Sequence, residues 1–222
     1  MTEVNFSAAD YPNIRRALFD LHKRILKNPN INEVKTCAKH LGLWHQKSLS
    51  FNNDAEVDLL MDYRVYAFRP NGFNMAEKYL RLHKNTLSEY EQALLARMRI
   101  ARFAVFQIEA TNHINEITAV DVFIKTRITL VDYQLAKTAE TGMVFACHII
   151  ELGEFIIQSG ALLPLNKALL QDDEVINALE RVDDDNFVDY MLNPANTSKL
   201  ARAIISASIR LGYTDNVKYH DV

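Results

Sequence analysis

The sequence predicts an α+β fold: a helical N-terminal part packed on a small, strongly bent five-stranded antiparallel sheet or partial barrel, with a short C-terminal helical tail. Three observations predict it. Apolar residues recur every three or four positions through the first hundred residues, then alternate one by one, then return to the helical period. The alternating runs are joined mostly by two- or three-residue turns, too short for the crossover that parallel neighbours need. Glycine and proline punctuate the joints rather than the runs. The corresponding boundaries are 1–102 for the helical part, 103–165 for the strands and 166–222 for the tail.

Asp10 is a good N-cap for a first helix, with Pro12 in the first turn, where a missing N–H costs nothing. Ile14, Leu18, Leu21 and Ile25 share one face of it, and Asn28-Pro29 ends it. A second helix spans about 32–41, burying Val34, Cys37, Ala38 and Leu41, with Gly42 at its end. Residues 44–53 are polar and irregular. A third helix covers about 54–68, with Val57, Leu60, Met61, Val65 and Phe68 inward. Asn74 with Glu77, and Ser88 with Glu91, have capping-box spacing and start a fourth and a fifth helix, the latter running to about Arg102.

The period then becomes two. Phe106 and Ile108 face one way in 104–110, and Gln107 and Glu109 the other. Further strands are predicted at 117–124, 128–131, 143–152 and 155–163. The fourth, apolar on both faces, belongs at the centre; 128–131 is the expected exposed edge, open to another strand. Helices resume with an Asp172 or Asp173 cap, at about 186–192, and over 197–211 with Gly212 as a stop.

The cadence Leu60-Met61-Asp62-Tyr63-Arg64, Ala76-Glu77-Lys78-Tyr79-Leu80, Leu87-Ser88…Leu94, Ala104-Val105-Phe106-Gln107-Ile108, Val120-Asp121-Val122-Phe123 and Gly142 before an apolar strand covers about half the chain. It resembles the region found upstream of the cysteine-rich SEC-C zinc motif in bacterial proteins of unknown function. The resemblance implies the fold and a bacterial origin, and no activity. The zinc motif itself is absent, since the only cysteines are Cys37 and Cys147.

Composition narrows the function classes. At 49% hydrophobic and 24% charged residues over 222 positions, the chain can bury a core and is neither fibrous nor low-complexity. No apolar run reaches membrane-spanning length, and Met1-Thr2-Glu3-Val4-Asn5 lacks the pattern of a secretion signal, which together predict a cytoplasmic protein that uses no membrane. Two cysteines fit a reducing compartment. The net charge of −3 gives no global push toward nucleic acid, although residues 1–100 carry +4 and residues 101–222 carry −7.

Several constellations could carry chemistry. Cys37, His40 and His45 have ligand types suited to zinc, but Cys37 sits in an apolar stripe and no fourth ligand is evident. Asp54, Asp58 and Asp62 recur at i,i+4 and form an acidic ledge that could hold a divalent ion for a hydrolase or transferase. They repel one another unless a cation such as Arg64, Lys78 or Arg81 pairs with them. Cys147 and His148 are neighbours on a strand and point to opposite faces, so they cannot form a dyad. No nucleophile elbow, phosphate loop or dinucleotide fingerprint is present, and no cofactor is implied. Arg97, Arg99 and Arg102 crowd the predicted end of the fifth helix, where they could meet a phosphate backbone or complement the helix dipole. The acidic groups Asp172-Asp173-Glu174 and Asp183-Asp184-Asp185 could engage the basic N-terminal half of the same chain or of a second copy. The sequence therefore ranks a non-enzymatic protein-interaction module first, with another protein or a second copy as partner. A nucleic-acid module using Arg97, Arg99 and Arg102 comes next, and a metal-dependent enzyme using Asp54, Asp58 and Asp62 third.

Overall fold

The computed structural model describes residues 4–112, 115–180 and 186–216. It is mixed α and β, with helices on both sides of the strands in sequence. A 3-10 turn, Ala8–Asp10, leads into α1, Tyr11–Leu26, whose Tyr11, Ile14, Leu18, Leu21 and Ile25 are buried as their spacing requires. Asp10 makes no side-chain cap. Ser7, three residues earlier, caps the preceding turn. The second helix, α2, is Ile31–His40, capped by Asn30. The polar stretch after it contains a two-residue ribbon, Trp44–His45 (β1) with Ser48–Leu49 (β2), closed by Gln46 and Lys47 at positive φ.

The third helix changes pitch. Its α-helical part, α3, is Asp54–Asp62, and the chain then winds as a π-helix over Tyr63–Ala67. A run of i→i+5 bonding is rare and occurs often at functional sites. All five of its residues are buried, Arg64 included. Widening the turn brings successive side chains onto a broader inward arc, so Tyr63, Arg64 and Tyr66 are enclosed along with Val65, which the helical pattern placed inward. Phe68, placed inward too, is half-buried against the core.

The fourth and fifth helices are α4, Met75–His83, and α5, Glu89–Met98. Ser88 and Glu91 form the full reciprocal box, whereas Glu77 turns its carboxylate to Arg81 at 2.8 Å and leaves Asn74 to cap alone. Ser88→Ala is therefore expected to cost about 1 kcal/mol, read from urea unfolding.

The strands are β3, Arg102–Thr111; β4, Glu116–Asp121; β5, Arg127–Val131; β6, Val144–Glu151; β7, Ile156–Gln158; and β8, Leu163–Leu165, with a short helix α6, Leu135–Thr138, before β6. Order β3-β4-β5-β7-β6, with β6 also bonded to β3, closes the sheet into a five-stranded barrel. The sheet is mixed, not purely antiparallel: β5 and β7 run parallel, in register at Leu130 and Ile156. The connection responsible is the β5–α6–β6 excursion, after which the β6–β7 hairpin returns the chain beside β5 in β5's own direction. Consequently 128–131 is no exposed edge, because β5 is bonded on both sides. The predicted fifth strand breaks at Gly160, φ +140°, a conformation that suits glycine. Its two halves, β7 and β8, line successive stretches of the same edge of β6. The central placement of β6 holds, since it pairs with β3, β7 and β8.

Alternate residues of every barrel strand fill the interior: Ala104, Phe106, Ile108, Ile117, Ala119, Leu130, Phe145, Cys147, Ile149 and Ile156. The intervening residues face out into two helical layers. One gathers Phe103, Val105 and Ala146 with α2, α3 and α10, Pro194–Arg210. The other gathers Val131, Ile150 and Ile157 with α1, the π-helix, α4 and α5. One end of the barrel is shut by ions: Arg102 Nη1 lies 2.8 Å from Asp121 Oδ2, both buried, and Arg102 Nε is 3.7 Å from Glu151.

The tail holds α7, Lys167–Leu170; α8, Asp173–Leu179; α9, Phe187–Leu192; and α10. Asn193 and Pro194 start α10 three residues earlier than the apolar stripe alone suggested, by capping at N-cap and filling N1.

Candidate functional site

One group of buried polar side chains gathers at the π-helix. On its barrel side, His148 Nδ1 donates to Asp62 Oδ2 at 2.5 Å, with both side chains buried. Helical residue 62 and strand residue 148 meet because the even positions of β6 from 146 to 150 face the helices while Cys147 faces the barrel interior. The Tyr66 ring stacks on His148, with centroids 5.3 Å apart and planes 25° apart, and Phe103 meets the same imidazole edge-on. The Tyr66 hydroxyl is 2.7 Å from Nε2 of His22 on α1. Burial pushes the Tyr66 hydroxyl well up, with the Asp62 charge adding to the rise. Burial also lowers His22 to about 4, opposed by the Asp62 charge and aided by Arg15.

On the other side, the Tyr63 hydroxyl lies 3.1 Å from His40 Nδ1. Burial raises Tyr63 and lowers His40, the latter with help from Arg202. Arg64 is 1% exposed. Its Nη1 contacts the Met61 thioether at 3.2 Å, and Nε and Nη2 meet no hydrogen-bond partner among the described residues. The Cys37 thiol nearby is pushed up to about 12 by burial, against the pull of Arg64.

Against this arrangement, the predicted sites sort as follows. The acidic ledge splits: Asp54 and Asp58 stay exposed on α3, while Asp62 turns inward to His148. None of the proposed cations pairs with it, because Arg64 contacts Met61, Lys78 binds Glu33 at 3.2 Å and Arg81 binds Glu77. Asp58 is left raised by partial burial and by the charges of Asp54 and Asp62. Cys37 is enclosed within α2, His40 is held by Tyr63, and His45 sits exposed on the ribbon. Among the described residues, no three His, Cys, Asp or Glu side chains gather as a metal-binding group.

Helix α5 ends at Met98, so Arg102 is the first residue of β3 and is buried against Asp121; it leaves the basic cluster. Arg97 is half-buried and Arg99 exposed. The acidic tail engages its own neighbour rather than the N-terminal half: Asp172 pairs with Arg210 at 2.9 Å, and Glu174 accepts from Ser206 at 2.8 Å, both on α10. Asp183-Asp184-Asp185 lies outside the described residues.

Pattern reading missed the Asp62–His148–Tyr66–His22 cluster. One signal was available: Asp62 stands where the inward stripe of α3 continues, between Leu59 and Tyr66.

The molecule is thus a helix-wrapped, closed five-stranded mixed barrel, with a buried polar hub at a π-helical turn. A family model matches residues 6–181, and the chain belongs to that family, described as "Family of unknown function (DUF7986)". The match carries nothing about SEC-C zinc motifs. Searches of curated proteins and of solved structures returned no match.

Proposed function

We propose that this chain is a bacterial, cytosolic, non-enzymatic protein-interaction module whose docking face is formed by α2 and α4. Two side chains carry the proposal: Ile31, 79% exposed, and Leu82, 80% exposed, on helices joined by the Lys78–Glu33 ion pair. Large apolar side chains this exposed are suited to burial by a partner. Arg81, His83 and Lys84, all exposed, flank Leu82 in sequence, so the fitting partner presents an apolar anchor with an acidic rim. No helix among the described residues is long and apolar enough to cross a membrane.

A photo-crosslinking residue at position 82 is expected to form an adduct with a defined protein in cells. Ile31→Glu with Leu82→Glu is expected to weaken binding of that purified protein at least about tenfold, the equivalent of 1.4 kcal/mol, without changing the circular dichroism or melting temperature. Absence of an adduct, or binding unaffected by the double substitution, overturns the assignment.

A further inference from the structure

Arg64 differs from half-buried Arg69 and buried Arg102. In each of those only Nε is enclosed without a hydrogen-bond partner, and one terminal nitrogen is held: Arg69 Nη2 by the Arg99 carbonyl at 3.1 Å and Arg102 Nη1 by Asp121. Arg64 leaves two atoms, Nε and Nη2, and these are the two that share one edge of the planar guanidinium. Their N–H bonds run parallel, the geometry that grips two oxygens of one carboxylate or phosphate.

Among the described residues, neither group whose charge acts on Arg64 pairs with it. Glu33 acts on the guanidinium through space, but its carboxylate is engaged by Lys78. The Cys37 thiol, pushed up to about 12, is neutral at physiological pH. An enclosed cation with three of its five N–H donors unmatched is costly, and burial draws the Arg64 pKa downward. The same residue lies in the π-helix, a second and independent mark of a functional turn.

We propose that the Nε/Nη2 edge of Arg64, between α2 and the π-helix, binds a small anion that presents two oxygens. Arg64 is 1% exposed, so a ligand reaches it only when the surrounding packing opens, and the two parallel N–H bonds suit a short carboxylate or a single phosphate group. The site goes beyond the docking face of α2 and α4 and does not depend on it, since Arg64 is enclosed while Ile31 and Leu82 are exposed.

The test titrates the full chain with sodium acetate in one arm and inorganic phosphate in the other, with chloride holding the ionic strength constant. The melting temperature is expected to rise with the logarithm of anion concentration in at least one arm. A rise with acetate alone identifies a carboxylate ligand, a rise with phosphate alone a phosphoryl one, and a rise with both the shared two-oxygen chemistry. In each case the Arg64 Nε–H resonance is expected to move with the same anion. Arg64→Lys keeps the charge and loses the fork, and is expected to bind at least about tenfold more weakly. If that variant does not fold, the wild-type resonance decides. No change in melting temperature or resonance with either anion, or an undiminished rise in Arg64→Lys, overturns the proposal.

Discussion

Asp121→Ala is expected to lower the unfolding free energy by about 3–5 kcal/mol, the usual cost of stripping one partner from a buried ion pair. Asp121 does two jobs at one end of the barrel. Its Oδ2 meets Arg102 Nη1 at 2.8 Å, and its Oδ1 accepts from the backbone N–H groups of Phe123 and Ile124 at 3.0 and 3.2 Å. The substitution leaves a buried guanidinium with Glu151 3.7 Å away, and it frees two turn donors. Asp121→Asn keeps a carbonyl oxygen for the turn and removes the charge, so it is expected to fall between wild type and alanine. Urea unfolding of the three proteins measures both differences, and a loss under about 1 kcal/mol for alanine contradicts the structural role.

Acid is expected to act through His22. Its folded pKa, about 4, lies below the ordinary 6.5, so between those values the unfolded chain binds more protons than the folded one. Stability from this group is therefore complete above pH 6.5. It declines as pH falls toward 4 and levels off once both states are protonated. The span corresponds to at most about 3 kcal/mol at 1.36 kcal/mol per unit, less whatever solvent reaches the partly buried ring. Denaturation midpoints measured across this window are expected to fall for wild type. They are expected to fall less for His22→Gln, which cannot titrate; equal slopes for the two proteins contradict the assignment.

Much of the architecture was legible because periodicity records burial. The stripe Ile14, Leu18, Leu21 and Ile25 marks α1, and the alternation at Phe106 and Ile108 marks β3; both are buried as the pattern demands. Short turns correctly implied antiparallel hairpins at β4–β5 and β6–β7. They could not reveal the β5–β7 contact, because that pairing depends on how far the sheet bends before it meets itself. The π-turn escaped as well. Five residues are too few to show a period of their own, and the spacing of Asp54, Asp58 and Asp62 read as one acidic ledge although Asp62 turns inward to His148. Arg102 was misplaced by four residues of presumed helix: α5 stops at Met98, and pairing of Arg102 with Ile149 begins the sheet. Charge spacing along the chain says little about which ions will be enclosed, since partners such as Asp62 and His148 come from distant segments.

Ring closure has a consequence for how this chain reaches its final state. Two seams close the ring without a hairpin, β5 with β7 and β3 with β6, the latter between residues further apart in the chain. Until the second of them is made, every hairpin can assemble but the circuit of amides stays broken, leaving two unsatisfied rims open to foreign strands. A nascent or partly melted molecule is accordingly most vulnerable to sticking to its neighbours during that interval, and closure removes the hazard by leaving those two rims bonded to each other.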